Sequence, residues 1–305
     1  MREDLYRKSH WSNRNKTLAM EPGDENIYIP KPLPEKELTP GIYWGEALQA
    51  LKRIEDQSIQ AVFADPPYFG KQKAFGRTVP NVWEEYSIWT LEWLKEAYRV
   101  TKDTGSLYVC CDWSYSGKIQ DLIEKAGFIT INRITWKRDK GRGALKNWKN
   151  NMEDIWFAVK DEEKYHFDVT KVKVKKKVIA PYRDDKGRPK DWLEEDGQKY
   201  RLTYPSNIWL DITVPFWSMA ENTPHPTQKP EKLVDRCLRP VLEAGEIVLD
   251  PFLCSGTTAI IADRLGAECI GVEIDPDYVR LAMKRWEKRH EIAAASNIDF
   301  EMIEE

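Results

Sequence analysis

Residues 246–275 read EIVLDPFLCSGTTAIIADRLGAECIGVEID. An apolar run ends in Asp250-Pro251-Phe252, a Ser-Gly-Thr-Thr turn opens an apolar stretch at helical spacing, and a second apolar run ends in Glu273. The pattern predicts strand (246–249), helix (257–265), strand (268–272), which is a βαβ unit with a parallel pair of strands. Both strand ends then fall on the carboxyl edge of the sheet, where open α/β sheets bind ligands. A carboxylate about 20 residues beyond a glycine-bearing turn is placed to accept the two hydroxyls of a ribose, and the amides that open a helix can meet a small anionic group. A phosphate-cradling loop would need Gly-Lys-Ser/Thr, and this turn holds no lysine. A dinucleotide fold would need three glycines, and only Gly256 is present. A purely structural turn is the bland alternative. Asp250, Phe252, Ser255, Gly256, Thr257 and Glu273 together favour a nucleoside without a pyrophosphate, which fits S-adenosylmethionine.

The rest of the chain repeats this rhythm from residue 41 onward. Strands are expected at 42–43, 59–64, 107–111, 129–136 and 155–159. Helices are expected at 47–54, 88–101, 116–126, 230–242 and 276–290, with Gly105 and Gly127 as stop signals. The expected fold class is α/β: a doubly wound, mostly parallel sheet of Rossmann-like type. Residues 1–40 read as a basic arm followed by a proline-rich linker, the arm being either a tail or a DNA-touching segment. Residues 41–160 and 218–292 form two halves of one domain, 161–217 an irregular insertion and 293–305 a tail.

One strand ends unusually, in AVFADPPYFGK (61–71). Asp-Pro alone is ordinary turn punctuation. Asp65-Pro66-Pro67-Tyr68 does more, because two prolines fix two φ angles, delete two donors and leave bare carbonyls beside a carboxylate. With an aromatic ring next in line, the motif suits a planar guest carrying an NH2 group.

Bulk properties exclude several classes. The 305 residues are 41% hydrophobic, enough for a sizeable core, and no apolar run approaches the roughly 18 residues of a membrane span. The first twenty residues lack the apolar centre of a secretory signal. Five cysteines form no C-x-x-C and four histidines show no ligand spacing, so reduced cytoplasmic thiols and no metal are expected. The net charge is only −3, but residues 137–190 carry 17 Lys and Arg against 9 Asp and Glu. That excess of eight leaves −11 for the remainder, the asymmetry of a polyanion-facing insert on an acidic body. Candidate phosphate contacts are Lys137, Arg138, Lys140, Arg142, Lys146, Lys149, Lys173, Lys175, Lys176 and Lys177, with nearby Trp, Tyr and Asn able to read or wedge bases.

Taken together, these motifs resemble the beta class of DNA amino-methyltransferases, which methylate exocyclic nitrogens of adenine or cytosine. Asp65–Tyr68 looks like their catalytic motif and DPFLCSGTT (250–258) like their cofactor motif. HPTQKP (225–230) looks like the lead-in to the first cofactor helix. The order of catalytic motif, variable region and cofactor motif matches that permuted class over residues 41 to 290. The resemblance implies S-adenosyl-L-methionine as cofactor and double-stranded DNA as partner, with no membrane and often a homodimer. It also implies cofactor contacts from Thr227, Lys229, Cys254 and Thr258, a flipped target base, and a cytoplasmic setting. Asp rather than Ser before Pro-Pro-Tyr leans to adenine N6 by the family's habit. Cytosine N4, an RNA base, and a binding-only relic are the alternatives. The chain departs from the family at Cys254, where glycine is usual. If the position needs φ > 0, cysteine carries a cost there.

Overall fold

The computed structural model describes residues 2–8, 10–70, 80–138, 145–177, 180, 182–190, 192–195, 197–295 and 303–304. In chain order the short helix α1 (Asp24–Ile27) precedes β1 (Gly41–Trp44), α2 (Ala47–Leu51), β2 (Ile59–Ala64), α3 (Trp83–Val100), β3 (Thr101–Cys111) and α4 (Ser116–Lys125). Then come β4 (Ile129–Lys137), β5 (Met152–Val159) and the short strands β6 (Val174–Lys177), β7 (Tyr182–Arg183), β8 (Pro189–Lys190), β9 (Trp192–Glu195), β10 (Gln198–Thr203) and β11 (Ile208–Trp209). The chain closes with α5 (Glu231–Leu238), β12 (Ile247–Asp250), α6 (Thr257–Arg264), β13 (Glu268–Glu273), α7 (Pro276–Glu287), α8 (Arg289–Ala295) and β14 (Ile303–Glu304).

Eight strands form one sheet in the order β1-β13-β12-β2-β3-β5-β4-β11. All neighbours are parallel except β5, which runs antiparallel to β3 and β4. Every residue of β2 is buried, because helices cover both faces, and a strand so covered reads as a continuous apolar run rather than an alternating one. Val62 and Ala64 point into a core shared with α2, α3 and α4, while Ala61 and Phe63 point into a second core under α5 and α6. The chain leaves β2 towards β3 on one side and β12 towards β13 on the other. The junction of β2 and β12 is therefore a topological switch point, whose carboxyl ends open a crevice. Pairing of Val62 with Leu249 fixes Asp65 and Asp250 as neighbours at that crevice.

The elements fall where the periodicity puts them, with three instructive differences. Gly105 does not stop a helix; it lies inside β3, and a Cβ there would come within 2.9 Å of the Gln60 carbonyl oxygen. Close strand approach, with a register shift opposite Ile59 and Ala61, explains the glycine. The helix expected at 276–290 breaks after Glu287 into α7 and α8. The irregular insertion contains an antiparallel sheet of β6, β10 and β9, and β11 returns to the edge of the main sheet.

The amino-terminal arm is packed against α7. Leu5, Met20 and Tyr28 bury against Tyr278 and Leu281, and the Lys284 ammonium donates to the Ala19 carbonyl and to Asp24 at 2.8 and 2.7 Å. Lys16 and Leu18 donate backbone bonds to Trp217 and Asn222, so the arm also braces the loop that leads into α5. No helix among the described residues is long and apolar enough to cross a membrane.

If the arm is part of the folded unit, Leu5→Ala costs about 2–5 kcal/mol of unfolding free energy, the usual range for a fully buried leucine. Urea denaturation measures it; an unchanged midpoint would mean that the arm docks without contributing.

Candidate active site

Asp65 sits just past the end of β2, where the two prolines hold the chain open. Its Oδ1 accepts from the Tyr68 hydroxyl at 2.9 Å and its Oδ2 from the Lys229 ammonium at 2.8 Å. The same ammonium lies 2.7 Å from Glu153 Oε1 and 3.3 Å from the Tyr68 hydroxyl. The Tyr68 hydroxyl also touches Glu153 Oε1, so its one proton is shared between the two carboxylates, and Arg138 donates to the second Glu153 oxygen at 2.6 Å. The side chains of Asp65, Lys229 and Glu153 are 11%, 8% and 3% exposed. Five groups from four separate segments thus form one nearly dry cluster of two carboxylates, two cations and a phenol.

The electrostatics follow from that census. Burial pushes the Asp65 carboxyl upward, and Glu153 adds to the push, while Lys229 opposes it; the outcome is above the ordinary range. Burial also acts on Glu153, but Lys229 and Arg138 together hold it below its ordinary value. For Lys229 burial disfavours the charge, and the two carboxylates more than compensate, so it stays an ammonium. Burial, then the two acids, drive the Tyr68 phenol far upward, so it remains a donor.

Around this cluster the surroundings are rigid. Tyr86 donates to the Pro67 carbonyl at 3.0 Å, which leaves the buried Pro66 carbonyl as the motif's second candidate acceptor for a guest amine. Phe69 packs into a ring cluster with Trp83, Tyr86 and Tyr115 at centroid distances of 4.9–5.5 Å. That commitment leaves Tyr68 as the motif's other ring; it packs against the core under α5 and α6 and has the Lys229 ammonium 5.5 Å from its centroid.

The second constellation lies across the switch point. Asp250 accepts from the Phe252 amide at 2.9 Å and from Thr258 Oγ1 at 2.5 Å. Burial first, then Asp65 and Glu273, raise its carboxyl to about 7. Glu273, at the end of β13, accepts from the Cys254 amide at 3.0 Å and the Asp275 amide at 2.9 Å. Carboxylate oxygens accept more than one bond each, so a ribose diol can be received on this acid. Helix α6 starts at Thr257, and its first amides have no partner within the helix. The donor set fits a nucleoside carrying a short charged chain.

The turn itself differs from the expectation in one respect: its hydroxyls face inward. Arg285, fully buried, donates to Thr257 Oγ1 at 2.8 Å and to the Ser255 carbonyl and hydroxyl at 3.3 Å. Its other nitrogen donates to Glu231 at 2.8 Å, with both side chains 0% exposed. Thr257 Oγ1 in turn donates to the Lys229 carbonyl at 3.0 Å. The hydroxyls of Ser255, Thr257 and Thr258 are therefore engaged within the turn's own network. Gly256 has φ of +85°, and a Cβ would lie 3.0 Å from that of Ala282, so α7 packing as well as backbone conformation requires glycine. Phe252 is buried against Trp93 and Trp89, and Thr227 stabilises its loop by donating from its amide to His225 Nδ1 at 3.4 Å. Lys229, for which the resemblance implies a cofactor contact, has its ammonium on Asp65 and Glu153.

Of the basic residues, Lys137, Lys146, Lys149 and Lys176 are exposed. Arg138 is bound to Glu153, and Lys173 lies 5.6 Å from the Tyr204 ring centroid. Lys175 departs from expectation: it is 4% exposed, with its ammonium 4.2 Å from the Tyr200 ring centroid, a position that does not face a phosphate. The Lys177 side chain, Lys140 and Arg142 lie outside the described residues. Glu153 and Arg285 were missed by sequence reasoning. Glu153 reaches the carboxyl edge of the parallel strands because β5 runs antiparallel to them, a direction that apolar periodicity does not reveal. Arg285 gave no signal on a charged helix.

Comparison with known proteins gives a consistent picture. A family model described as DNA methylase, of the N6/N4 methyltransferase type, matches residues 59–284. The DNA adenine methyltransferase YhdJ of Escherichia coli is 34% identical over 253 residues, 80% of this chain and 81% of its own. Type II methyltransferase M.BglII of Bacillus subtilis is 32% identical over 301 residues, 92% of this chain and 77% of its own. Among solved structures, the cytosine-N4-specific PvuII DNA methyltransferase superposes with a TM-score of 0.61 at 21% identity, covering 87% of this chain and 94% of its own. The M1.HpyAVI–SAM complex gives 0.52 at 21%, covering 80% and 98%. At those identities the superpositions speak for the fold.

Cys254 has φ of +54°, a left-handed conformation that costs a side chain about 1–2 kcal/mol and a β-branched one more. Cys254→Gly is therefore expected to melt at or above the parent temperature and Cys254→Val several degrees below it. Equal melting of all three by calorimetry would show that the turn relaxes freely.

Proposed function

Because the chain belongs to the N6/N4 DNA methylase family, we propose that it transfers a methyl group to the exocyclic N6 amine of a flipped-out adenine in double-stranded DNA. It is an S-adenosyl-L-methionine-dependent DNA methyltransferase. The observation that carries the amine-methylation reading is the clamp beside the nucleoside-binding edge: the Asp65 carboxylate and the Pro66 carbonyl, held by two prolines next to Tyr68. Adenine over cytosine is supported by the 34% identical DNA adenine methyltransferase of Escherichia coli.

An exocyclic amine is a poor nucleophile because its lone pair is delocalised into the ring. Asp65 and the Pro66 carbonyl accept its two N–H bonds and aim the lone pair across the switch point. S-adenosyl-L-methionine, when bound, supplies a sulfonium methyl group. Glu273 would hold the ribose, and the opening amides of α6 the charged tail. As positive charge grows on the amine, Asp65 stabilises it where it develops, and the same carboxylate takes the proton afterwards. Tyr68 offers a face to the extruded base, returning part of the few kcal/mol that unstacking costs.

A duplex approach is supported by residues 145–150, which leave the cluster between β4 and β5 and are all exposed. The backbone amide of Arg138 donates to the Asn151 carbonyl at 2.6 Å, closing the base of this excursion beside Glu153. Lys146 and Lys149 flank Trp148, which is 92% exposed. Cytosine N4 is the second reading, since a two-acceptor clamp fits both amines and the PvuII enzyme shares the fold.

Incubation with unmethylated DNA and labelled S-adenosyl-L-methionine, followed by nucleoside mass spectrometry, is expected to give N6-methyladenine. N4-methylcytosine would change the base and keep the clamp. Asp65→Ala is expected to lose at least about 10²–10³-fold in kcat, the scale of one lost transition-state partner, with cofactor binding by calorimetry retained. Full activity in that variant removes Asp65 from the reaction. Replacing Lys146 and Lys149 by alanine should lower DNA affinity uniformly across sequences and reduce the logarithmic salt slope by about two; an unchanged slope would take this loop off the phosphates.

A further inference from the structure

Both oxygens of Asp65 are already engaged, one by Tyr68 and one by Lys229, yet the proposed reaction needs this carboxylate to receive an amine. Lys229 stands where a donor to Oδ2 must come, and its second anchor is Glu153 at 2.7 Å. We propose that Lys229 and Glu153 act as an opposed pair of positioning residues for Asp65. Lys229 keeps the carboxylate charged and reserved until the target amine displaces it, and Glu153 receives the displaced ammonium. This deepens the function proposed above and rests on it.

The argument is one of charge count and geometry. The groups facing Asp65 are Tyr68 from its own loop, Lys229 from the segment before α5 and Glu153 from β5. Beyond these lie Cys110 from β3, Asp250 from β12 and Tyr86 from α3. Burial keeps both tyrosines and the cysteine in their neutral forms, so among the described residues the cation in contact with Asp65 is Lys229. Glu153 has two cations, because Arg138 serves it alone. A carboxyl so buried that loses its one cation takes up a proton, and a protonated Asp65 offers one acceptor fewer to the amine. Glu153 works in the opposite sense, as a like charge that disfavours the Asp65 anion and competes for the lysine.

The exchange also makes electrostatic sense. Lys229 moves off one carboxylate while remaining on another, so no ammonium is stranded in a dry site. The bond it gives up is replaced by an amine N–H that is charge-assisted by the carboxylate from the start and by both partners as the methyl group arrives. The Lys229 backbone is fixed by Thr257, so the swing is confined to the side chain.

The two variants must shift the acid limb of kcat/KM in opposite directions. In Lys229→Met the Asp65 carboxyl rises further, so activity appears at higher pH, by about 1–3 units. In Glu153→Gln it falls, and the limb moves to lower pH. Lys229→Arg restores the cation and should bring the limb back towards the parent position. Profiles from about pH 5 to about pH 9 read this out, and thermal melting excludes unfolding as the cause. Titration of the Asp65 carboxyl carbon by NMR, assigned with Asp65→Asn, gives the same comparison without any methyl transfer. Shifts of opposite sign in the NMR titration support the pair even if no methylated DNA is formed, in which case the proposed function fails by itself. Shifts of the same sign, or kcat losses with an unmoved limb and unmoved titration, overturn the pair.

Discussion

The site depends on one arrangement: a single lysine ammonium shared between two buried carboxylates on different strands. Burying an ion costs several kcal/mol unless a partner and further hydrogen bonds offset it, so none of Asp65, Glu153 or Lys229 is tolerable there alone. Their mutual requirement ties the end of β2, the start of β5 and the lead-in to α5 into one geometry. Because Lys229 is held by Thr257 and Thr257 by Arg285, the tie extends through a second buried pair, Arg285–Glu231, to α7. Catalytic motif and cofactor turn, 185 residues apart in sequence, are thereby coupled by a short chain of hydrogen bonds.

That chain clarifies how the cofactor turn is built. Its hydroxyl residues accept from an internal guanidinium, and its glycine makes room for a helix. On the function proposed above, recognition would then fall to groups that cannot easily be misplaced: backbone amides at the start of α6 and an acid at the end of β13, both set by the sheet. The left-handed cysteine fits this division of labour. Its amide is fixed by Glu273, so the turn is determined by its hydrogen bonds more than by the conformational freedom of glycine.

Much of this was legible in the sequence, and for identifiable reasons. Strand β2, the α6 turn and Glu273 were readable because a strand covered on both faces is written as a short apolar run ended by turn residues. Asp65 was readable because two prolines after a carboxylate are a costly way to end a strand. Partnerships between distant segments were not. Nothing local marks Lys229 as the partner of Asp65 instead of a cofactor contact, since the two meet only when β12 inserts beside β2. Glu153 escaped because β5 was read as starting at Ile155, and its antiparallel direction cannot be inferred from apolar periodicity. The docked arm was hidden for a different reason: its apolar residues, Leu5, Met20 and Tyr28, are too widely spaced to form a periodic pattern, and their shared surface is supplied by α7.

The antiparallel direction of β5 also explains how a clamp for a small amine can serve a polymer. A strand that starts at the carboxyl edge brings its preceding loop to that edge, so residues 145–150 emerge beside Glu153. A parallel β5 would have sent the same loop to the far side of the sheet, some 20 Å away at the length of a typical strand. Reversing one strand therefore starts the exposed lysines and tryptophan of 145–150 from the edge of the sheet that holds the carboxylates. The basic excess of residues 137–190 is divided by this arrangement: Arg138 turns inward to secure Glu153, and Lys146 and Lys149 stay in solvent. The inward cation secures Glu153, and the outward ones are those proposed above for the phosphates, so a single connection between β4 and β5 would serve both chemistry and substrate approach.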